Sequence, residues 1–123
     1  MGSVLLQAER LYPTRNDVPE PIRPQLIVLL NQLLADASDL QTQAKAAHWN
    51  VKGPNFIALH KLFDGVHAAV AEYVDLIAER AVQLGGVAEG TARIVARRSD
   101  LEEYPIGIAD GSRHVEAHLQ AKA

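Results

Sequence analysis

Four side chains in one stretch have the types and spacing of metal ligands. His60 and Asp64 are four residues apart, and so are Asp75 and Glu79. On an α-helix that spacing puts each pair on one face, where an imidazole or a carboxylate can reach a common ion. At roughly 100° per residue, all four fall in a stripe about 100° wide. They cannot share one ion within a single helix. Asp64 and Asp75 lie roughly 16 Å apart along the axis, whereas ligands stand about 2.0–2.2 Å from a transition ion. The geometry closes if two copies of the helix cross antiparallel about a twofold axis near Val70. The His60/Asp64 end of one copy then meets the Asp75/Glu79 end of the other, which gives two equivalent sites.

His48 is a further candidate, because a hairpin turn after it would bring it alongside His60. Two neutral imidazoles and three carboxylates suit iron, manganese or zinc. Lys45, one turn before His48, can pair with a carboxylate when metal is absent. Trp49 could serve as a nearby one-electron donor. Each feature also has an ordinary structural reading. The pairs could be surface pairs or an acidic patch, His48 a helix-terminal histidine favoured by the macrodipole, and Trp49 a packing residue.

The elements that must hold these groups are helical. Asp17, Pro19 and Pro21 resemble a helix start, with Asp17 as cap and proline in the first turn. Leu26, Leu30, Leu33, Ala37, Leu40, Ala44 and Ala47 then form a seam with steps of three and four. This helix should run to about Asn50, where Lys52-Gly53-Pro54 breaks it. Asn55 should cap a second helix, whose seam is Phe56, Phe63, Val70, Ile77 and Leu84, with Leu59, Val66 and Tyr73 between, and Gly85-Gly86 should stop it. Together they predict an antiparallel hairpin with arms of about 45 Å. The segment 90–98 suggests a short helical turn, Tyr104-Pro105 an extended break, and Asp110 or Ser112 a cap for a third helix over 113–123. The expected organisation is an arm over residues 1–18 and a helical domain over 19–123. Two and a half helices leave apolar seams uncovered, so either a partner covers them or the chain is incomplete; incompleteness is the expectation.

Composition narrows the function. The 123 residues fit one domain, and the net charge of −3 gives no bulk argument for nucleic-acid binding. The chain has no cysteine, which excludes disulfides and thiolate sites. No apolar run reaches the roughly 18 residues of a membrane span. The N-terminus does not resemble a secretory signal, so a cytoplasmic protein is expected.

Residues 48–56, HWNVKGPNF, followed by His60-Lys61-Leu62-Phe63-Asp64 and by residues 75–86, DLIAERAVQLGG, resemble the signature of the Dps mini-ferritins. The resemblance covers about residues 11–120. It implies an all-α, ferritin-like four-helix bundle whose third long helix is cut short here and whose fourth is absent. It implies a homo-oligomer, a twofold dimer within a hollow dodecamer, with ferroxidase sites at the twofold interface. His48, His60 and Asp64 would come from one subunit, and Asp75 and Glu79 from its mate. Fe(II) would be oxidised, usually by hydrogen peroxide, and stored as ferric mineral, with zinc as an alternative occupant in the isolated protein. DNA would be protected from oxidative damage. Asp64 and Glu79 would bind or bridge iron, and Trp49 would quench stray oxidising equivalents. The family's short helix would fall within 87–103. The alternative function is a nucleoid-associated architectural protein. DNA-condensing members often carry a lysine-rich arm, but residues 1–18 hold no lysine and only Arg10 and Arg15, which predicts weak or absent DNA binding.

Overall fold

A computed structural model describes residues 11–121. Residues 1–10 of the expected arm, including Arg10, and the last two residues of the expected third helix lie outside the described residues. Two helices of 28 residues form the scaffold: α1, Arg23–Asn50, and α2, Phe56–Gln83. A short helix, α3, spans Ala92–Arg98, and α4 spans Gly111–Ala121. The described part is therefore all-helical. α3 lies where the short helix was expected, and α4 occupies the place of the third long helix.

The helix ends show what positions the hairpin. A 3-10 turn, Glu20–Ile22, leads into α1, with proline in the first turn of each. Asp17 is not the cap. Pro19 precedes the turn in an extended conformation and Ile22 precedes α1, and neither helix start has a side-chain cap bond. The proline-rich lead places the first turn beyond Asp17, and the Asn16 side chain instead accepts from the Val18 amide at 2.9 Å. Asn55 does stand at the start of α2, but makes no side-chain cap bond. Backbone bonds close that turn, from Phe56 N to Gly53 O at 3.1 Å and from Leu59 N to Asn55 O at 3.1 Å. Gly53 has a φ of 111° and Gly85 a φ of 96°, both in the left-handed region that suits glycine. After α2, the Gly85 amide bonds to Val82 O at 2.9 Å and the Gly86 amide to Ala81 O at 3.0 Å. These two bonds satisfy the last carbonyls of the helix.

The core corrects the seam expected for α1. In its N-terminal half the buried residues are Arg23, Ile27, Asn31, Leu34 and Ala35, while Leu33 remains 45% exposed. Leu26, Leu30, Ala37 and Leu40 are only half-buried. The reason is the returning chain after α2, which lies along this face of α1. Asn31 Nδ2 donates to Val87 O at 3.0 Å, and its Oδ1 accepts from Glu89 N at 2.8 Å. Gln32 reaches Arg98 O at 2.9 Å, and Gln43 reaches Glu102 O at 3.1 Å. Buried amides thus satisfy backbone that has no ladder of its own. Arg23 does the same for the preceding segment, donating to Val18 O at 2.8 Å. In α2, Phe63 and Leu84 are buried as expected, but Tyr73 is 64% exposed and Val70 and Ile77 are half-buried.

A second cluster docks α4 at the hairpin turn. Ala47, Val51 and Phe63 form its buried centre, with Phe56, Leu59, Tyr104 and Val115 against them. His114 is fully buried. Its Nδ1 lies 2.6 Å from the Tyr104 hydroxyl. Lys52 N donates to Ala109 O at 2.9 Å, tying the turn to the start of α4.

Two stability tests follow from these contacts. A methyl group at Gly85 would press into the Tyr12 carbonyl, whereas nothing crowds Gly53. Gly85→Ala should therefore cost about 1–3 kcal/mol, and Gly53→Ala about 1–2 kcal/mol from its backbone alone, both read from urea denaturation. Burial pushes Tyr104 up to about 12 from its ordinary 10.0. Its contribution is complete below pH 10.0 and is lost as pH rises towards 12. Burial also lowers the His114 pKa from 6.5, against the opposing influence of the Ile108 backbone. That contribution is present above pH 6.5 and is lost as pH falls below it. Melting temperature should therefore fall on both sides of this plateau, with Tyr104→Phe flattening the alkaline limb and His114→Phe the acid limb.

Candidate metal centre

The hairpin turn sets His48, in the last turn of α1, beside His60, in the second turn of α2. His48 Nδ1 lies 2.6 Å from the His60 carbonyl, and His60 Nδ1 lies 2.8 Å from the His48 carbonyl. The rings stack at 3.7 Å with planes 22° apart, and Phe56 stacks on the other side of His60 at 5.0 Å. A carbonyl oxygen can only accept, so each neutral ring carries its proton on Nδ1. Each Nε2 then keeps its lone pair, the form in which imidazole binds a metal ion. The His48 carbonyl is one of those a helix end leaves without an intrahelical partner, and the His60 ring satisfies it.

One turn further from the loop, Lys45 Nζ meets Asp64 Oδ1 at 2.8 Å. This is the metal-free pairing that the sequence suggests. The hydrogen bond from Lys45 holds the Asp64 carboxyl below its usual range, opposed by desolvation and aided by the charges of Lys45, His48 and His67. His67 was not singled out from the sequence. Its Nδ1 lies 3.0 Å from the Gln41 carbonyl, so it is held in the same tautomer as the other two imidazoles. The signal was present: in an antiparallel hairpin that pairs His48 with His60 and Lys45 with Asp64, the next rung joins Gln41 to His67. The Tyr104, His114 and His118 group was also missed, because its members meet only once α4 folds back onto the hairpin.

Asp75 and Glu79 are exposed on the distal half of α2. No ion pair among the described residues engages them. The chain thus brings His48, His60 and Asp64 to one end of the stripe and leaves Asp75 and Glu79 at the other. Among the described residues no three histidine, aspartate or glutamate side chains converge on one point for an ion. No described helix is long and apolar enough to cross a membrane.

A ferritin-like domain model matches residues 27–122. The DNA protection during starvation protein of Agrobacterium fabrum is 40% identical over 111 residues, which cover 90% of this chain and 68% of the relative. Among solved structures, DpsA14 from Streptomyces coelicolor aligns with a TM-score of 0.82 at 35% identity, covering 90% of this chain and 66% of its own. DpsC from the same organism aligns with a TM-score of 0.84 at 31% identity, covering 90% and 64%. The chain therefore spans about two thirds of the length of these relatives. Its fold, its matched residues and these relatives place the chain in the ferritin-like family, among the Dps proteins.

Proposed function

We infer that this chain supplies the two halves of a ferroxidase site shared between copies, and that Fe(II) is its substrate. The reading rests above all on the reciprocal His48/His60 lock, which leaves both Nε2 atoms unprotonated, with Asp64 one helical turn after His60. Besides tying α1 to α2, the lock preorganises a ligand pair. The ionised Asp64 carboxylate adds a hard oxygen donor suited to iron. Asp75 and Glu79 complete the donor set when a second copy crosses antiparallel about a twofold axis near Val70. Twelve such chains in a hollow cage would store the ferric product, and the names of the relatives support a role in protecting DNA. Two ferrous ions each lose one electron, and hydrogen peroxide takes both electrons with two protons from solvent and leaves as two waters. No hydroxyl radical is released in such a step. The lysine-free arm ranks direct DNA binding below iron chemistry.

Complementation tests the shared site. Variant pair His60→Ala/Asp64→Ala and variant pair Asp75→Ala/Glu79→Ala should each fail to oxidise Fe(II) faster than buffer. Mixed by co-refolding, they should recover roughly a quarter of the wild-type sites, since half the random dimers are mixed and each has one intact site. No recovery, with mixed dimers demonstrated by mass spectrometry, would sink the intersubunit reading. Lys45→Met tests the ion pair with zinc as a redox-silent probe. Zinc affinity measured by calorimetry at neutral pH should rise, because no cation has to be displaced from Asp64.

A further inference from the structure

We propose that Tyr104 and His114 form a proton-coupled redox pair, which takes up oxidising equivalents that reach the protein interior through Trp49. The pair stands apart from the metal half-sites and has no role in binding iron. The Tyr104 hydroxyl lies 2.6 Å from His114 Nδ1, and the rings stack at 5.8 Å with planes 19° apart. His114 is fully buried, and its Nε2 makes no hydrogen bond among the described residues. With the ring proton on Nε2, Nδ1 is free to accept from the Tyr104 hydroxyl.

This arrangement meets the chemical requirement for reversible tyrosine oxidation. A phenol loses an electron readily only when its proton leaves in the same event, because the protonated radical is a very strong acid. Here the acceptor is already in place. One electron leaves Tyr104, the O–H bond breaks, and the proton passes to Nδ1. A neutral phenoxyl radical and an imidazolium result. Burial and the neighbouring His118 keep the imidazole neutral beforehand, while the Ile108 carbonyl and the Asp110 carboxylate favour the protonated ring that follows. A one-electron reductant reverses the step, and the proton returns to the phenol oxygen.

The surroundings supply a route inward. Trp49 is 66% exposed. It shares with Tyr104 the wall of a cavity of about 570 Å³. The oxidant is a one-electron species of the hydroxyl-radical class, formed when ferrous iron meets peroxide outside an ordered site. It is reduced to hydroxide by Trp49, and Tyr104 then re-reduces the tryptophan radical. On its far side Tyr104 meets His118 edge-on at 5.3 Å, and His118 stacks on Phe63 at 4.9 Å. Phe63 adjoins Asp64 in the chain, so the aromatic group backs directly onto the helix that carries the metal half-sites.

Only the source of the oxidant rests on the ferroxidase reading, so the test uses metal-free protein and azide radicals generated by pulse radiolysis. The chain has one tryptophan and three tyrosines, which keeps the optical assignment simple. The tryptophan radical absorption should decay as tyrosine phenoxyl absorption grows, at a rate independent of protein concentration. Tyr104→Phe, which removes one oxygen and keeps the ring, should abolish this phase, while Tyr12→Phe and Tyr73→Phe should retain it. In the wild type, electron–nuclear double resonance of the freeze-trapped radical in D2O should show an exchangeable deuteron coupled to the phenoxyl oxygen, and His114→Phe should lose that coupling. The proposal is overturned if the transfer phase survives in Tyr104→Phe, if it disappears in either of the other tyrosine variants, or if the wild-type radical shows no such deuteron.

Discussion

The antiparallel register of α1 against α2 is the constraint on which the rest of the molecule depends. A short turn through Gly53 fixes it, and three rungs of side chains then follow along the groove. His48 faces His60, Lys45 faces Asp64, and Gln41 faces His67. A slip of one residue would turn each side chain by about 100° and break all three rungs together. The rungs are therefore both a product of the register and a reason for it to be unique. Each histidine bonds to a main-chain carbonyl of the opposite helix, so the ring direction is tied to the backbone rather than to a mobile side chain. That is the condition under which a ligand set is preorganised before the ion arrives.

The opposite demand falls on α1. It must hold the hairpin and also organise the long irregular stretch between α2 and α4, whose backbone polar groups have no sheet or long helix to pair with. Asn31, Gln32 and Gln43 meet that demand from one side of the helix, and Arg23 meets it for the chain that precedes α1. Amides are tolerated in these positions because each donates to a main-chain carbonyl of the returning chain, and Asn31 also accepts from its backbone. The result is a helix with two working faces, one apolar and one built from hydrogen bonds. Much of the apolar stripe of α1 remains half-open in the single chain. The same is true of α2 around Tyr73 and Leu76.

α2 links the two chemistries inferred for the molecule. Its outward stripe carries His60, Asp64, Asp75 and Glu79, and its inward face carries Phe63, which packs against His114 and His118. A helix proposed to handle a redox-active ion thus rests on an aromatic group that contains a histidine beside a phenol. The buried His114 makes sense in this light. Among the described residues its Nε2 has no hydrogen-bond partner, and its Nδ1 is met by the phenol of Tyr104.

The sequence by itself determined the two long helices, their breaks and the placement of His60, Asp64, Asp75 and Glu79 along one helix, because these depend on local signals. Apolar spacing, Gly53-Pro54 and Gly85-Gly86 act within a turn or two of themselves, and the four-residue spacing of His60/Asp64 and Asp75/Glu79 fixes their face whatever the surroundings. The distance between those pairs also required no structure, since eleven residues of helix have only one length. Which stripe of α1 would be buried was decided by tertiary structure. The spacing marks Leu26, Leu30 and Leu33, whereas the path of the returning chain buries Ile27 and Leu34. Asp17 failed as a cap because the conformation around Pro19 set where the helix begins. The tautomers of His48, His60 and His67 were likewise beyond the sequence, since a ring nitrogen's role is set by the carbonyl that a distant segment brings to it. The Tyr104–His114 contact belongs to the same class. Its members are ten residues apart across an irregular stretch, and they meet only because the start of α4 is tied to the hairpin turn at Lys52.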